Sequence, residues 1–208
     1  HTCAILDSGV LKCWGYNGYG QLGHGNTSTA SDGGNEMGEN LAFVPLGANR
    51  TALRISVGQG HACAMLDDGS VKCWGRNNYG QLGIGNNTQT GDGANEMGEN
   101  LATADLGPGR TATDITVGSY HSCAILDDGS VKCWGYNVYG NLGIGNTTAM
   151  GDGANEMGAN LITVDLGTGR TAIAIDAGAA HTCAILDSGV LKCWGYNANG
   201  RLGQGHTE

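Results

Sequence analysis

No apolar run in this chain approaches the roughly 20 residues that a membrane-spanning helix needs. Lysine and arginine total only 10 against 19 Asp and Glu, giving a net charge of −9 and a pI near 4.9. So acidic a surface is a poor match for nucleic acid or an anionic membrane, and it serves solubility. No serine or cysteine sits in a nucleophile arrangement, no phosphate loop occurs and no metal-ligand spacing stands out. The chain is therefore read as non-enzymatic and without a cofactor. It opens on His1 with no initiator Met and no signal-peptide pattern, as a mature or trimmed chain would. Proline (2) and phenylalanine (1) are almost missing, whereas glycine reaches 39. Loops this rich in glycine exclude helices and favour tight turns with backbone close to backbone.

What the chain has is repetition. HTCAILDSGVLKCWGYNGYGQLGHG at 1–25 returns as HACAMLDDGSVKCWGRNNYGQLGIG at 61–85, then at 121–145 and 181–205, always 60 residues on. A supersecondary unit repeated so regularly buries its apolar face against its neighbours. The chain reads as a single repeat array over 1–208, with units 1–60, 61–120 and 121–180 and a half unit 181–208.

Within one copy, two β-prone runs, 3–6 and 10–14, flank Asp7, Ser8 and Gly9. A three-residue hairpin loop commonly ends in a left-handed residue, which glycine supplies cheaply. That loop sets Leu6 opposite Val10, Ile5 opposite Leu11 and Cys3 opposite Cys13. Directly opposed Cα atoms lie roughly 4.5–5.5 Å apart, within reach of a disulfide. The same register pairs Cys63 with Cys73, Cys123 with Cys133 and Cys183 with Cys193, which uses all 8 cysteines. The competing reading is a metal site built from His1, Cys3 and Cys13, but structural zinc sites usually bring cysteines in closely spaced pairs. Loops of this length give about 2.5–3 kcal/mol per bridge in the chain-entropy model. Four such bridges suggest an oxidising compartment, extracellular or at the cell surface.

Each hairpin leads into a glycine-punctuated loop (14–23 in the first copy) and then an acidic insert: SDGGNEMGEN at 31–40, GDGANEMGEN at 91–100, GDGANEMGAN at 151–160. A strand-like segment follows, 161–166 in the third unit. An alternating strand then covers 111–117, with Ile115 and Val117 on one face and Asp114 and Thr116 on the other. Its counterparts carry Leu53, Ile55 and Val57, then Ile173, Ile175 and Ala177. Each unit thus holds about four short strands and no helix, the pattern of β-propeller blades in an all-β fold.

The string WGYNGYGQLGHG with its upstream histidine, paired with Gly-Val or Gly-Ser-Val in the hairpin, resembles the repeat of the regulator of chromosome condensation family. The resemblance covers essentially the whole chain. It implies blades of a seven-bladed β-propeller and leaves activity open, because that family includes exchange factors for a small GTPase, light sensors, enzyme inhibitors and secreted proteins. The paired cysteines and the DGANEMG insert look like its secreted branch. Seven blades would take about 420 residues, so the chain reads as a partial propeller: a fragment, an arc that closes with a second copy, or an open spiral.

Acceptors of the N-x-S/T type occur at Asn26, Asn49, Asn86 and Asn146, three of them at the same place in successive units, and point to N-glycosylation. The inserts offer oxygen ligands for Ca²⁺, chiefly Asp92, Glu96, Asp152 and Glu156, against the plainer role of satisfying their own turns. His1, His61, His121 and His181 read as structural imidazoles bonding a turn or a neighbouring blade. Trp14, Trp74, Trp134 and Trp194 read as packing between blades, with a sugar platform as the alternative. Lys12, Lys72, Lys132 and Lys192 are expected to lay their stems on apolar neighbours with exposed ammonium groups. The leading functional reading is a binding or structural scaffold for adhesion, a surface coat or a filament. Its partners would be other copies of itself or extracellular proteins, with glycans as a further class. A nucleotide exchange factor is the alternative that the family implies, and a glycan-binding module is a second.

Overall fold

The computed structural model describes residues 1–207. Its first sheet is the hairpin β1 (Thr2–Ile5) and β2 (Leu11–Trp14). The second holds β3 (Ala52–Val57), β4 (His61–Leu66) and β5 (Val71–Gly75). The third holds β6 (Ala112–Val117), β7 (His121–Leu126) and β8 (Val131–Gly135). The fourth holds β9 (Ala172–Ala177), β10 (His181–Leu186) and β11 (Leu191–Gly195). All pairings are antiparallel, and a sheet takes its first strand from the end of one sequence repeat and its hairpin from the next. This is a partial propeller.

The hairpin register is the one the loop dictates. Cys3 faces Cys13 and Ile5 faces Leu11, Gly9 stands at φ 77°, and the Leu6 amide donates to the Val10 carbonyl at 2.8 Å. Disulfides join Cys3 to Cys13, Cys63 to Cys73, Cys123 to Cys133 and Cys183 to Cys193, with Cα separations of 4.0–4.1 Å.

The fourth extended segment of each unit is reduced to one bridge, such as Lys72 to Thr103 or Lys132 to Thr163. At the latter bridge the Val164 amide of the 161–166 segment donates to the Val131 carbonyl of β8 at 2.8 Å. The neighbouring Leu106 and Leu166 carbonyls instead accept from lysine side chains. The expected alternation also breaks in the first strand of the second and fourth sheets. Leu53 and Ile173 are 58% and 64% exposed because the register slips at these positions, leaving each residue unpaired in a bulge. The inserts hold the only helical turns among the described residues, three-residue 3₁₀ turns at Gly38–Asn40, Gly98–Asn100 and Gly158–Asn160.

The cores lie between sheets rather than within them. Cys63, Met65, Val71 and Cys73 of the second sheet pack with Ala124, Leu126 and Trp134 of the third. One sheet back, Leu11 and Cys13 pack with Ala62, Ala64, Leu66 and Trp74. Alternate residues point to opposite faces, so every inner sheet has a cysteine face and a tryptophan face. Both are covered, which is why β4, β5, β7 and β8 are buried at every residue. The indole Nε1 of Trp134 donates to the Gln81 carbonyl at 3.0 Å, and Trp74 and Trp194 bond Gln21 and Asn141 in the same way. Gly83, at φ 72°, lies so close that a Cβ would stand 2.8 Å from the Trp134 Nε1.

Ile125 and Ile185 occupy the same position in successive repeats but are 3% and 41% exposed. In urea unfolding, Ile125→Ala is expected to cost about 2–5 kcal/mol. Ile185→Ala is expected to fall near the roughly 0.5 kcal/mol usual for surface changes. Equal losses would contradict the inter-sheet core.

Candidate functional site

The recurring histidines are built into the joints between sheets. His61 Nε2 lies 3.0 Å from Ser122 Oγ, and that hydroxyl in turn donates to the Gln81 carbonyl at 2.9 Å. A hydroxyl has one proton to give, so the imidazole is the donor in the first bond. The pair has the separation of a base and a nucleophile, yet the serine proton points away from the ring and both residues are buried. His121, Thr182 and the Asn141 carbonyl repeat the relay at 2.9 and 3.0 Å. At the first joint Ala62 stands where Ser122 and Thr182 stand later, and both His1 ring nitrogens are buried without a partner. Ser122 and Thr182 escaped notice in the sequence because only the fold brings residues 61 positions apart together.

Two of the four recurring lysines, Lys72 and Lys132, differ from expectation, whereas Lys192 is exposed. Lys72 and Lys132 are 7% and 8% exposed, and their ammonium groups are not turned to solvent. Lys72 Nζ donates to the Leu46 and Gly98 carbonyls at 2.9 and 2.8 Å, and Lys132 Nζ to Leu106 and Gly158 at 3.0 and 2.7 Å. Each thereby ties the irregular segment of the preceding unit to its own unit's insert. Burial lowers the pKa of both. Trp74 and Trp134 are fully buried, which removes them as a sugar platform.

The insert carboxylates are turned onto their own loops. Glu96 Oε2 accepts from the Gly91 and Gly93 amides, both at 2.8 Å, and Asp92 Oδ2 accepts from Gln89 at 2.6 Å. Glu156 caps the Gly151 and Gly153 amides at 2.9 and 2.8 Å. Burial, then a hydrogen bond and repulsion from Glu156, raises the Asp152 pKa. Asn26, Asn86 and Asn146 are exposed. Each side-chain oxygen accepts from the amide two residues on, at 2.8–2.9 Å, an Asx turn. Buried Asn17, Asn77 and Asn137 grip the same loops from beneath at 2.8–2.9 Å. Asn49 is exposed in a left-handed turn, φ 57°.

The loops that follow the hairpins assemble a surface that sequence reasoning missed. All 7 tyrosines and two arginines form one unbroken run across the four units. Tyr16 meets Tyr19 edge-on at 6.2 Å. Arg76 lies over Tyr19 and Tyr120 at 5.0 and 5.1 Å. Tyr79, Tyr120 and Tyr136 make a triangle with sides of 4.9–6.3 Å. Tyr136 continues to Tyr139 at 6.1 Å, Tyr139 to Tyr196 at 4.5 Å, and Arg201 lies over Tyr196 at 4.7 Å. Tyr16 and Tyr139 are 57% and 46% exposed, and the others are half-buried. Burial, with Tyr139 and Tyr79 beside it, raises the Tyr136 pKa. The signal was tyrosine at 16, 136 and 196 and again at 19, 79 and 139, but nothing local says that these loops adjoin.

The neutral histidines make stability depend on pH. Burial lowers the pKa of His61 to about 3 and that of His121 to about 4, each lowered further by the next histidine in line. A histidine whose folded pKa lies below the unfolded value of about 6.5 contributes fully above that value, and the contribution shrinks as pH falls toward the folded pKa. Stability is expected to drop below pH 6.5 by about 1.4 kcal/mol per pH unit for each histidine. Urea titrations between pH 7 and 5 should show this, with a shallower slope in His61→Gln. An unchanged slope would contradict the buried neutral ring.

Comparison with known proteins fits this geometry. The regulator of chromosome condensation (RCC1) repeat matches residues 1–21, 53–81, 112–141 and 172–201, together more than half of the chain. The chain is 32% identical over 149 residues to the ultraviolet-B receptor UVR8 of Arabidopsis thaliana, covering 71% of this chain and 30% of the receptor. It spans less than a third of the length of the curated relatives it matches. Human WBSCR16 superposes with a TM-score of 0.74 at 21% identity, over 99% of this chain and 48% of that one. Yeast RCC1 (Prp20), in its complex with Kap60, superposes with a TM-score of 0.69 at 19% identity, over 98% of this chain and 43% of that one. With its hairpins, loops and stacking order all of this kind, the chain belongs to the regulator of chromosome condensation (RCC1) repeat family.

Proposed function

We propose that this chain is a non-enzymatic binding scaffold of an oxidising, extracellular or cell-surface setting, and that it holds protein partners through the tyrosine–arginine run. The observation that carries this reading is the run itself. It crosses all four units on one surface, whereas the interior polar groups described above, those of His1 apart, are engaged in joining sheets or capping turns. Tyrosine and arginine are the side chains most enriched at the energetic centres of protein interfaces, and rigid phenol rings contribute contact area at little entropic cost. Four cross-strand disulfides support the compartment, because cytosolic thiols are kept reduced. In such a setting the exposed Asn26, Asn49, Asn86 and Asn146 are proposed glycan acceptors. The structurally similar yeast RCC1 (Prp20) was solved with another protein, Kap60, bound to it.

The test compares the wild-type chain, made through a secretory pathway, with Tyr79→Ser/Tyr136→Ser. Both are used as bait in native extracellular material. Proteins retained by the wild type and lost by a variant of unchanged circular dichroism support the reading, and equal recovery overturns it. A mass decrease on N-glycosidase treatment is expected of the secreted chain, and no decrease would remove the acceptor proposal.

A further inference from the structure

The ten lysines and arginines divide unevenly. Lys12, Lys72, Lys132 and Lys192 all donate to backbone carbonyls. Arg50 pairs with Asp67 and Asp68, Arg54 with Asp114, Arg110 with Asp127 and Asp128, and Arg170 with Asp187. Among the described residues only Arg76 and Arg201 meet neither a carboxylate nor a backbone carbonyl. Arg76 Nε touches the Asn78 side-chain oxygen at 3.2 Å, and a guanidinium nitrogen of Arg201 lies 2.9 Å from the Asn199 amide. Both lie over tyrosine rings of the same run. A chain of net charge −9 has thus left its two free cations on one aromatic surface.

We propose that this surface binds an extended acidic polypeptide segment with two carboxylates set apart along it, one for each arginine. This rests on the reading of the run as a protein-binding surface. A guanidinium stacked on a ring keeps its N–H edge for a carboxylate, which it takes in fork geometry. Between Arg76 and Arg201 lie five steps of 4.5–6.3 Å, through Tyr120, Tyr136, Tyr139 and Tyr196. An extended chain of about eight residues covers that contour. The phenols between offer ring faces to side chains and hydroxyls to backbone carbonyls. The alternatives fit less well. A uniform polyanion such as a sulfated glycan or a nucleic acid would be repelled by the rest of the surface, and a neutral sugar would leave both guanidinium edges unmatched.

The test is an array of decapeptides carrying two glutamates at every spacing and otherwise uncharged, each with a glutamine counterpart, probed with the whole chain and followed by anisotropy on the best spot. The expected result is a maximum at wide spacing and loss of signal in the glutamine versions. Binding should weaken about tenfold or more in Arg76→Gln/Arg201→Gln and stay unchanged in Arg170→Gln. A blank array, binding that ignores the double substitution, or tighter binding of a heparin oligosaccharide or a chito-oligosaccharide would each overturn the proposal. A blank array beside bait recovery that still depends on Tyr79 and Tyr136 would sink this inference and leave the binding-surface reading standing. Loss of both would remove the two together.

Discussion

The structure depends on the bond from one sheet's indole to the carbonyl of the loop before it. Trp134 reaches Gln81 at 3.0 Å, and Trp74 reaches Gln21 at the same distance. The bond is worth only about 0.5–1.5 kcal/mol by itself, but it fixes where a large ring sits against Gly83 or Gly23, where a side chain would collide with it. Once the ring is placed, the aliphatic and cysteine faces meet, and burial does the rest at about 1.5–3 kcal/mol for each large apolar side chain. The disulfide makes each hairpin rigid, and the tryptophan makes each hairpin a neighbour of the next.

This arrangement decides which polar groups are free to act. Gln81's carbonyl accepts one hydrogen bond from Trp134 and another from Ser122, and Ser122 accepts from His61. Lys72 and Lys132 join two units through their carbonyls. A buried network of this kind stabilises when every member is satisfied and costs when one is not. It holds histidines, serine and lysines in positions where they serve only the fold. Chemistry toward an outside molecule therefore falls to the loops above the joints, which carry the tyrosines and the two arginines without ion-pair partners.

The hairpin, its register and its cysteine pairing were legible in the sequence because they follow from one loop length and period-two geometry. The period of 60 residues gave the stacking. Three features were not legible, each for a physical reason. The lysines looked like exposed mid-strand residues, since nothing local reveals that an irregular segment would leave carbonyls needing a donor. Leu53 and Ile173 fit an alternating pattern that a bulge displaces outward. The tyrosine run needed four loops placed side by side, and short spacings within a glycine-rich loop say nothing about its neighbours. The fold was thus readable from local rules, whereas the candidate site exists only in the assembled array.

The most direct test of the stacking is exchange of the indole N–H protons followed by NMR in deuterated water. Trp74 and Trp134 are fully buried and bonded to the preceding loop, while Trp14 is half-buried with no carbonyl partner among the described residues. The account predicts that the Trp74 and Trp134 signals outlast that of Trp14 by orders of magnitude. Indoles that all exchange together at the rate of an exposed ring would contradict it.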